Sequence, residues 1–96
     1  MIGVVATLKV VDGKTAEFEA IFAELAAKVR AGEPGALFYQ LTRSRAEAGV
    51  YKVLELYKDQ ESLTAHGATD YFRELGRRMG PCMAARPDVE YLDAVG

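Results

Sequence analysis

The chain has 96 residues, of which 50% are hydrophobic and 27% charged, and its formal net charge is −2. This composition excludes an intrinsically disordered chain, and the slight acidity argues against a nucleic-acid-binding protein, which usually carries a basic face. No apolar run approaches the roughly 20 residues of a membrane span, and no signal-peptide pattern is present. A single cysteine, Cys82, excludes an internal disulfide and a paired-cysteine metal site. We therefore expect one cytosolic domain, residues 1–96, that binds neither metal, membrane nor nucleic acid.

The first elements are a strand and a long helix. Residues 2–10 are apolar on both alternating faces, which is typical of a central strand. Residues 14–31 predict a helix, with Asp12 as its cap and Gly32 as its end. Its apolar stripe, which should face the core, comprises Phe18, Ile21, Phe22, Leu25 and Val29.

Two further strands follow a Glu33-Pro34-Gly35 turn. They cover residues 36–43 and 50–58, and the short link between them predicts an antiparallel hairpin. In the second of these strands, one face carries Leu54 and Leu56. The opposite face carries Tyr51, Val53, Glu55 and Tyr57.

The last elements are two short helices and a strand. Asp59 predicts the start of a helix that ends at Gly67, and Thr69 the start of another that ends near Met79. Residues 88–95 alternate as a final strand. The order β-α-β-β-α-β predicts a ferredoxin-like α+β fold, in which helices cover one face of a four-stranded antiparallel sheet.

The other sheet face should be an interface, because its expected side chains are largely apolar. They are Val5, Phe38, Tyr51, Val53 and Tyr57, mixed with Thr7, Gln40 and Glu55. A second copy packed sheet to sheet would cover them, so we expect a two-fold homodimer. A glutamate buried there would need a partner such as Arg43 or Lys9.

The segment from Glu55 to His66, followed by Tyr71-Phe72, resembles the signature of the antibiotic biosynthesis monooxygenase family. That family often reads E-x-W-x-D/S, then a short helix ending in A-H, then H-F. The resemblance implies a dimeric α+β barrel. It also implies a cofactor-free monooxygenase that binds a hydrophobic aromatic or quinol-type substrate between helices and sheet. Such a substrate loses a proton, and its anion reacts directly with oxygen.

The sequence departs from the family pattern at several places. Tyr57 stands for the Trp, Tyr71 stands for the second His, and the chain contains neither Trp nor Asn. Haem-degrading members use Asn, Trp and His where this sequence has Ala6, His66 and Gly76. The resemblance therefore does not extend to haem degradation.

His66, the only histidine, is the candidate catalytic residue. It lies three residues after Leu63 and so shares its helix face, and an imidazole titrates near neutrality and can take a proton. The alternative is a structural histidine that the helix dipole favours at a C-terminus. Candidate substrate-binding residues are Tyr57 and Tyr71, as hydrogen-bond donors to a phenolic or quinone oxygen, and Phe22, Leu63 and Phe72, as apolar walls.

The sequence also leaves other ligands and other functions open. Arg73, Arg77 and Arg78 form a basic helix edge that could attract an anionic substrate or could simply be solvated. The same scaffold also suits a non-catalytic ligand-binding or accessory protein. An isomerase, cyclase or decarboxylase is a third alternative, since it too needs a bound enol or phenol and one base.

Overall fold

The computed structural model describes residues 1–96. Its elements are β1 (Ile2–Lys9), α1 (Thr15–Gly32), β2 (Ala36–Arg43), β3 (Val50–Tyr57), α2 (Gln60–Gly67), α3 (Asp70–Met79) and β4 (Asp88–Asp93). A single 3₁₀ turn, Gly80–Cys82, joins α3 to β4. The predicted ferredoxin-like α+β order is confirmed, and the two predicted short helices are α2 and α3.

The four strands form one antiparallel sheet in the order β2-β3-β1-β4. β1 and β3 are the central pair, which agrees with the apolar character of both faces of β1. The stripe of α1 packs on the inner face, and Phe18, Phe22, Leu25 and Val29 are all buried there. None of the helices combines the length and the hydropathy that a transmembrane segment requires.

The helices cover the opposite face of β3 from the one predicted. Tyr51, Val53 and Tyr57 are at most 2% exposed and belong to the inner face, and Glu55 lies between them. Placing these four side chains toward a partner was therefore wrong. Strand alternation shows which residues share a face but not which face the helices cover. Here the large aromatic rings fill the core, and the ring of Tyr51 lies 4.9 Å from that of Phe18.

The outer face carries the other alternating set. Val5, Leu54 and Gln40 are in register across three strands, and Phe38, Leu56 and Leu92 form the neighbouring row. Phe38, Leu54 and Leu92 are exposed in the single chain. The predicted apolar outer face is thus present. On β3 it is formed by Leu54 and Leu56, and not by the predicted Tyr51, Val53 and Tyr57.

Helix ends explain the path of the chain around α2 and α3. Asp59 accepts a hydrogen bond from the Ser62 N–H at 2.8 Å, and the Thr69 hydroxyl accepts one from the Phe72 N–H at 3.3 Å. Both predicted N-caps are confirmed. At α1 the predictions were wrong, because the N-cap is Lys14 without a side-chain bond and Gly32 is the last helical residue.

Candidate active site

A cavity of about 790 Å³ lies between the helices and the β1–β4 side of the sheet. It exists because α3 packs mainly against α1, through the buried Leu75, and stands off from the strands. Of the 24 residues that line it, 16 are hydrophobic, so it suits an apolar ligand. Lining residues that are also exposed, including Phe72, Gly76 and Tyr91, place its mouth between α3 and β4.

His66 lies in the cavity wall and is only 4% exposed. Its position follows from the α2–α3 turn, where the Thr69 hydroxyl donates to the His66 carbonyl at 2.9 Å. The imidazole Nδ1 is 2.9 Å from Oε1 of Glu33, the residue that follows α1. An Nδ1–H that donates to this carboxylate leaves the Nε2 lone pair free. Nε2 has no hydrogen-bond partner in the chain and is not fully buried, and His66 is one of the residues that line the cavity.

Tyr71 holds Glu33 on the side of the carboxylate away from the cavity. Its hydroxyl donates a short hydrogen bond to Oε2 of Glu33, so that both carboxylate oxygens are engaged. Burial and the adjacent carboxylate raise the pKa of Tyr71 to about 12, which keeps the phenol a donor. Tyr71 does not line the cavity. Its position therefore suits it to hold Glu33 and, through it, the imidazole.

Glu55 is a second ionisable side chain in the cavity wall. One of its oxygens accepts a hydrogen bond from the Tyr57 hydroxyl at 2.6 Å. Burial raises the pKa of Glu55 to about 7, although the Tyr57 hydrogen bond opposes that change. Burial also raises the pKa of Tyr57, which is fully buried behind the wall rather than in it.

Sequence reasoning assigned Glu55 to the partner face and so missed it as a site residue. The sequence does contain a pattern that indicates a buried Glu55. Glu55 alternates with Val53 and Tyr57, and the other face of the same strand carries leucines. A carboxylate among buried apolar residues is a candidate functional group.

Aromatic rings hold the imidazole in place. Ring centroids of Tyr39, Tyr57 and Phe72 lie 5.2, 5.4 and 4.8 Å from that of His66. Phe22 in turn stacks on Tyr39 at 5.7 Å. The close packing restricts rotation of the ring about its side-chain bonds. The imidazole is thereby held in one orientation in the cavity wall.

The structure brings together most of the predicted site residues. His66, Phe22, Leu63 and Phe72 line the cavity, whereas Tyr57 and Tyr71 stand behind it. Ala6 and Gly76, which occupy positions of haem-degrading residues in the resemblance, are also in the wall. The burial of Cys82 raises its pKa, so it is not a reactive thiol of the site.

The basic edge of α3 is separate from the cavity. Arg73, Arg77 and Arg78 pair with Asp70, Glu74 and Glu24 at the surface. No lysine or arginine lines the cavity, and its only acidic residues are Glu55 and Asp93. This charge distribution does not favour an anionic ligand.

Comparisons with known proteins agree with the fold and the motif. The model of the family described as antibiotic biosynthesis monooxygenase matches residues 1–78. A proposed antibiotic biosynthesis monooxygenase from Caulobacter crescentus CB15 is 64% identical and superposes with a TM-score of 0.97, over 99% of this chain and 90% of that one. A crystal structure of an antibiotic biosynthesis monooxygenase is 26% identical, with a TM-score of 0.91 and full coverage of both chains.

A conserved protein from Methanosarcina mazei Go1 has 25% identity and a TM-score of 0.89, over 95% of this chain and 89% of that one. A search of curated proteins gave no match. The family match covers most of the chain and includes the segment from Glu55 to His66. The chain belongs to the antibiotic biosynthesis monooxygenase family.

Proposed function

We propose that the protein is a cofactor-independent monooxygenase acting on a small, neutral, hydrophobic phenol or quinol. The observation that carries this proposal is the apolar cavity with one imidazole fixed in its wall. Glu33 holds Nδ1, so Nε2 is the atom that can take a proton from a bound hydroxyl. Family membership supports monooxygenase chemistry at the level of the family.

Proton removal is the step that this cavity is suited to assist. A phenolic hydroxyl gives its proton to Nε2 of His66, and the resulting anion is electron-rich enough to react with dioxygen directly. For a hydroquinone the overall reaction balances as hydroquinone plus O₂ giving hydroxyquinone plus water. The four electrons that reduce O₂ come from the substrate ring. The apolar walls of the cavity orient that ring.

The charge of the wall supports a neutral substrate. Glu55 and Asp93 would repel a carboxylate or phosphate group, and no cation in the wall would offset that repulsion. A hydroquinone without ionised substituents carries no negative charge, so these carboxylates would not repel it. We therefore expect acidic analogues to be poorer substrates.

We also propose that the protein works as a homodimer through the outer face of the sheet. Phe38, Leu54 and Leu92 are exposed there in the single chain, and a second copy would cover them sheet to sheet. A lone cysteine that is buried and unpaired agrees with a reducing compartment such as the cytosol.

Oxygen uptake with a panel of hydroquinones and anthrones tests the function. The wild-type protein should consume oxygen, and Gly76→Leu should lower kcat/KM by narrowing the mouth. A Cβ added at Gly76 would meet nothing within 4 Å, and the residue is exposed, so we expect the variant to fold. Gly76→Ala is the matched control, because it changes helix propensity with little added volume.

The other outcomes separate the alternatives. Conversion of a substrate without oxygen uptake would favour an isomerase or cyclase. Tight binding of the panel without conversion would favour a ligand-binding protein. No binding and no uptake, or equal activity of wild type and Gly76→Leu, would contradict the proposed site.

A further inference from the structure

Glu55 and His66 are anchored in the same way on different elements of one cavity wall. Glu55 comes from β3 and His66 from α2. Each is bonded from behind by a residue outside the wall, Tyr57 for Glu55 and Glu33 for His66. Oε2 of Glu55 and Nε2 of His66 have no hydrogen-bond partner in the chain. Two heteroatoms are thus available to a ligand in the same cavity.

We propose that Glu55 is a second acid–base residue of the site, which contacts the second oxygen of a substrate that carries two oxygen functions. This inference rests on the proposed function for the identity of the cavity as the substrate site. It narrows the substrate class to hydroquinones, naphthohydroquinones and similar molecules. A phenol with one oxygen would use His66 alone.

The two groups match the proton balance of the reaction. Conversion of a hydroquinone to a hydroxyquinone removes two hydrogens from the molecule, and both leave with the second oxygen atom of O₂ as water. His66 takes the proton of one hydroxyl and Glu55, as the carboxylate, takes the other. After transfer, the protonated carboxyl can donate a hydrogen bond to the quinone carbonyl that has formed.

The surroundings of Glu55 allow it to exist in either protonation state near neutrality. The titratable groups that face it from the packed elements are Tyr57 on β3, Tyr39 on β2, Glu33 after α1 and His66 on α2, with Asp93 and Tyr91 on the cavity side of β4. Burial and the Glu33 charge raise the pKa of Glu55, and the Tyr57 hydrogen bond lowers it. No lysine or arginine lines the cavity to hold the carboxylate ionised.

Binding of 1,4-naphthoquinone, measured by calorimetry from pH 5.5 to 8.5, tests the proposal without turnover. This probe only accepts hydrogen bonds, so it should bind the protonated carboxyl better than the carboxylate. The Kd of the wild type should rise about tenfold with pH, the effect of one hydrogen bond of roughly 1.4 kcal/mol. Glu55→Gln, whose amide donates at every pH, should remove this dependence, whereas His66→Gln and the surface control Glu47→Gln should keep it.

Tyr57→Phe supplies a second, independent readout. Loss of its hydrogen bond to Glu55 should move the midpoint of the Kd change to higher pH, an effect that a purely structural role would not produce. A wild-type Kd independent of pH, or a dependence retained in Glu55→Gln, would overturn the proposal for Glu55. Oxygen uptake by the wild type alongside either result would leave the proposed function standing. The expected pH dependence without oxygen uptake would overturn the function alone.

Discussion

Glu33 determines how His66 can act, because its two oxygens are divided between the imidazole and Tyr71. The sequence placed His66 on an inward helix face by its spacing from Leu63, and the structure confirms that position. It could not identify Glu33 as the partner, since the two residues are 33 positions apart and meet only through tertiary packing. The sequence indicates only that Glu33 belongs to a turn. Long-range pairs of this kind leave no local pattern in a sequence.

The first prediction concerns this pair. Glu33→Gln keeps the shape of the side chain but removes the charge that fixes the Nδ1–H tautomer, so kcat/KM should fall by about 10²-fold. The loss should appear in kcat, with KM little changed, because the apolar walls remain. Steady-state oxygen uptake beside the surface control Glu47→Gln measures it. Equal kcat values for Glu33→Gln and wild type would contradict a positioning role.

The second prediction concerns Glu55 and stability. The folded-state pKa of about 7 exceeds the ordinary value of 4.5, so the folded protein holds a proton that the unfolded chain has lost between these pH values. Stability that the neutral carboxyl provides is therefore present below pH 4.5 and is lost as pH rises toward and through 7. Relative to Glu55→Gln, the wild type should lose on the order of 3 kcal/mol between pH 4.5 and pH 8.

Urea unfolding of both proteins across this pH range measures the difference. Glu47→Gln, at an exposed loop position, should follow the wild type throughout. A constant difference between wild type and Glu55→Gln would show that the carboxyl is not desolvated in the folded state.

At the scale of elements, α2 is held in place by the turn before β2. Gly35 packs so closely on α2 that an added Cβ would lie 2.1 Å from Oγ and 2.6 Å from Cβ of Ser62. The Gly35 carbonyl also accepts a hydrogen bond from the Lys58 N–H at 2.8 Å. These contacts place the start of α2 beside the end of α1, which brings His66 to Glu33. The sequence predicted the turn and the helix, but not their contact.

The third prediction tests that contact with a double mutant. Gly35→Ala should destabilise the protein by about 1–3 kcal/mol through overpacking. Ser62→Gly removes both clashing atoms and leaves only its Cα, at 3.7 Å from the added Cβ, so the second change should recover part of that loss. A double-mutant cycle by urea unfolding gives the coupling. Strict additivity of the two changes would refute the proposed packing.

At the scale of the whole molecule, the sheet divides a cavity-bearing inner face from an apolar outer face. The sequence predicted both the sheet and the existence of an apolar outer face. It assigned the wrong set of β3 residues to that face, because alternation carries no information about the side on which α1 and α3 pack. Val53, expected at the partner interface, is instead 2% exposed in the core.

The fourth prediction therefore uses Leu54. Leu54→Asp would bury an unpaired charge in a sheet-to-sheet dimer and should shift the protein toward monomer at micromolar concentration. Ala23→Asp, on the exposed side of α1, is the control and should leave the mass unchanged. Light scattering coupled to gel filtration measures it. A monomeric wild type would contradict the dimer.

Removal of a substrate proton by His66 should depend on whether the substrate is already ionised. Oxygen uptake by wild type and His66→Ala is compared at one pH across phenols of increasing acidity. For phenols that are protonated at that pH, kcat/KM of the wild type should exceed that of His66→Ala by a factor of about 10²–10⁴. The ratio should fall toward one for those already ionised, since they no longer need a base. A ratio near one for every phenol, or a large ratio that does not change with substrate ionisation, would contradict a role of His66 as the base.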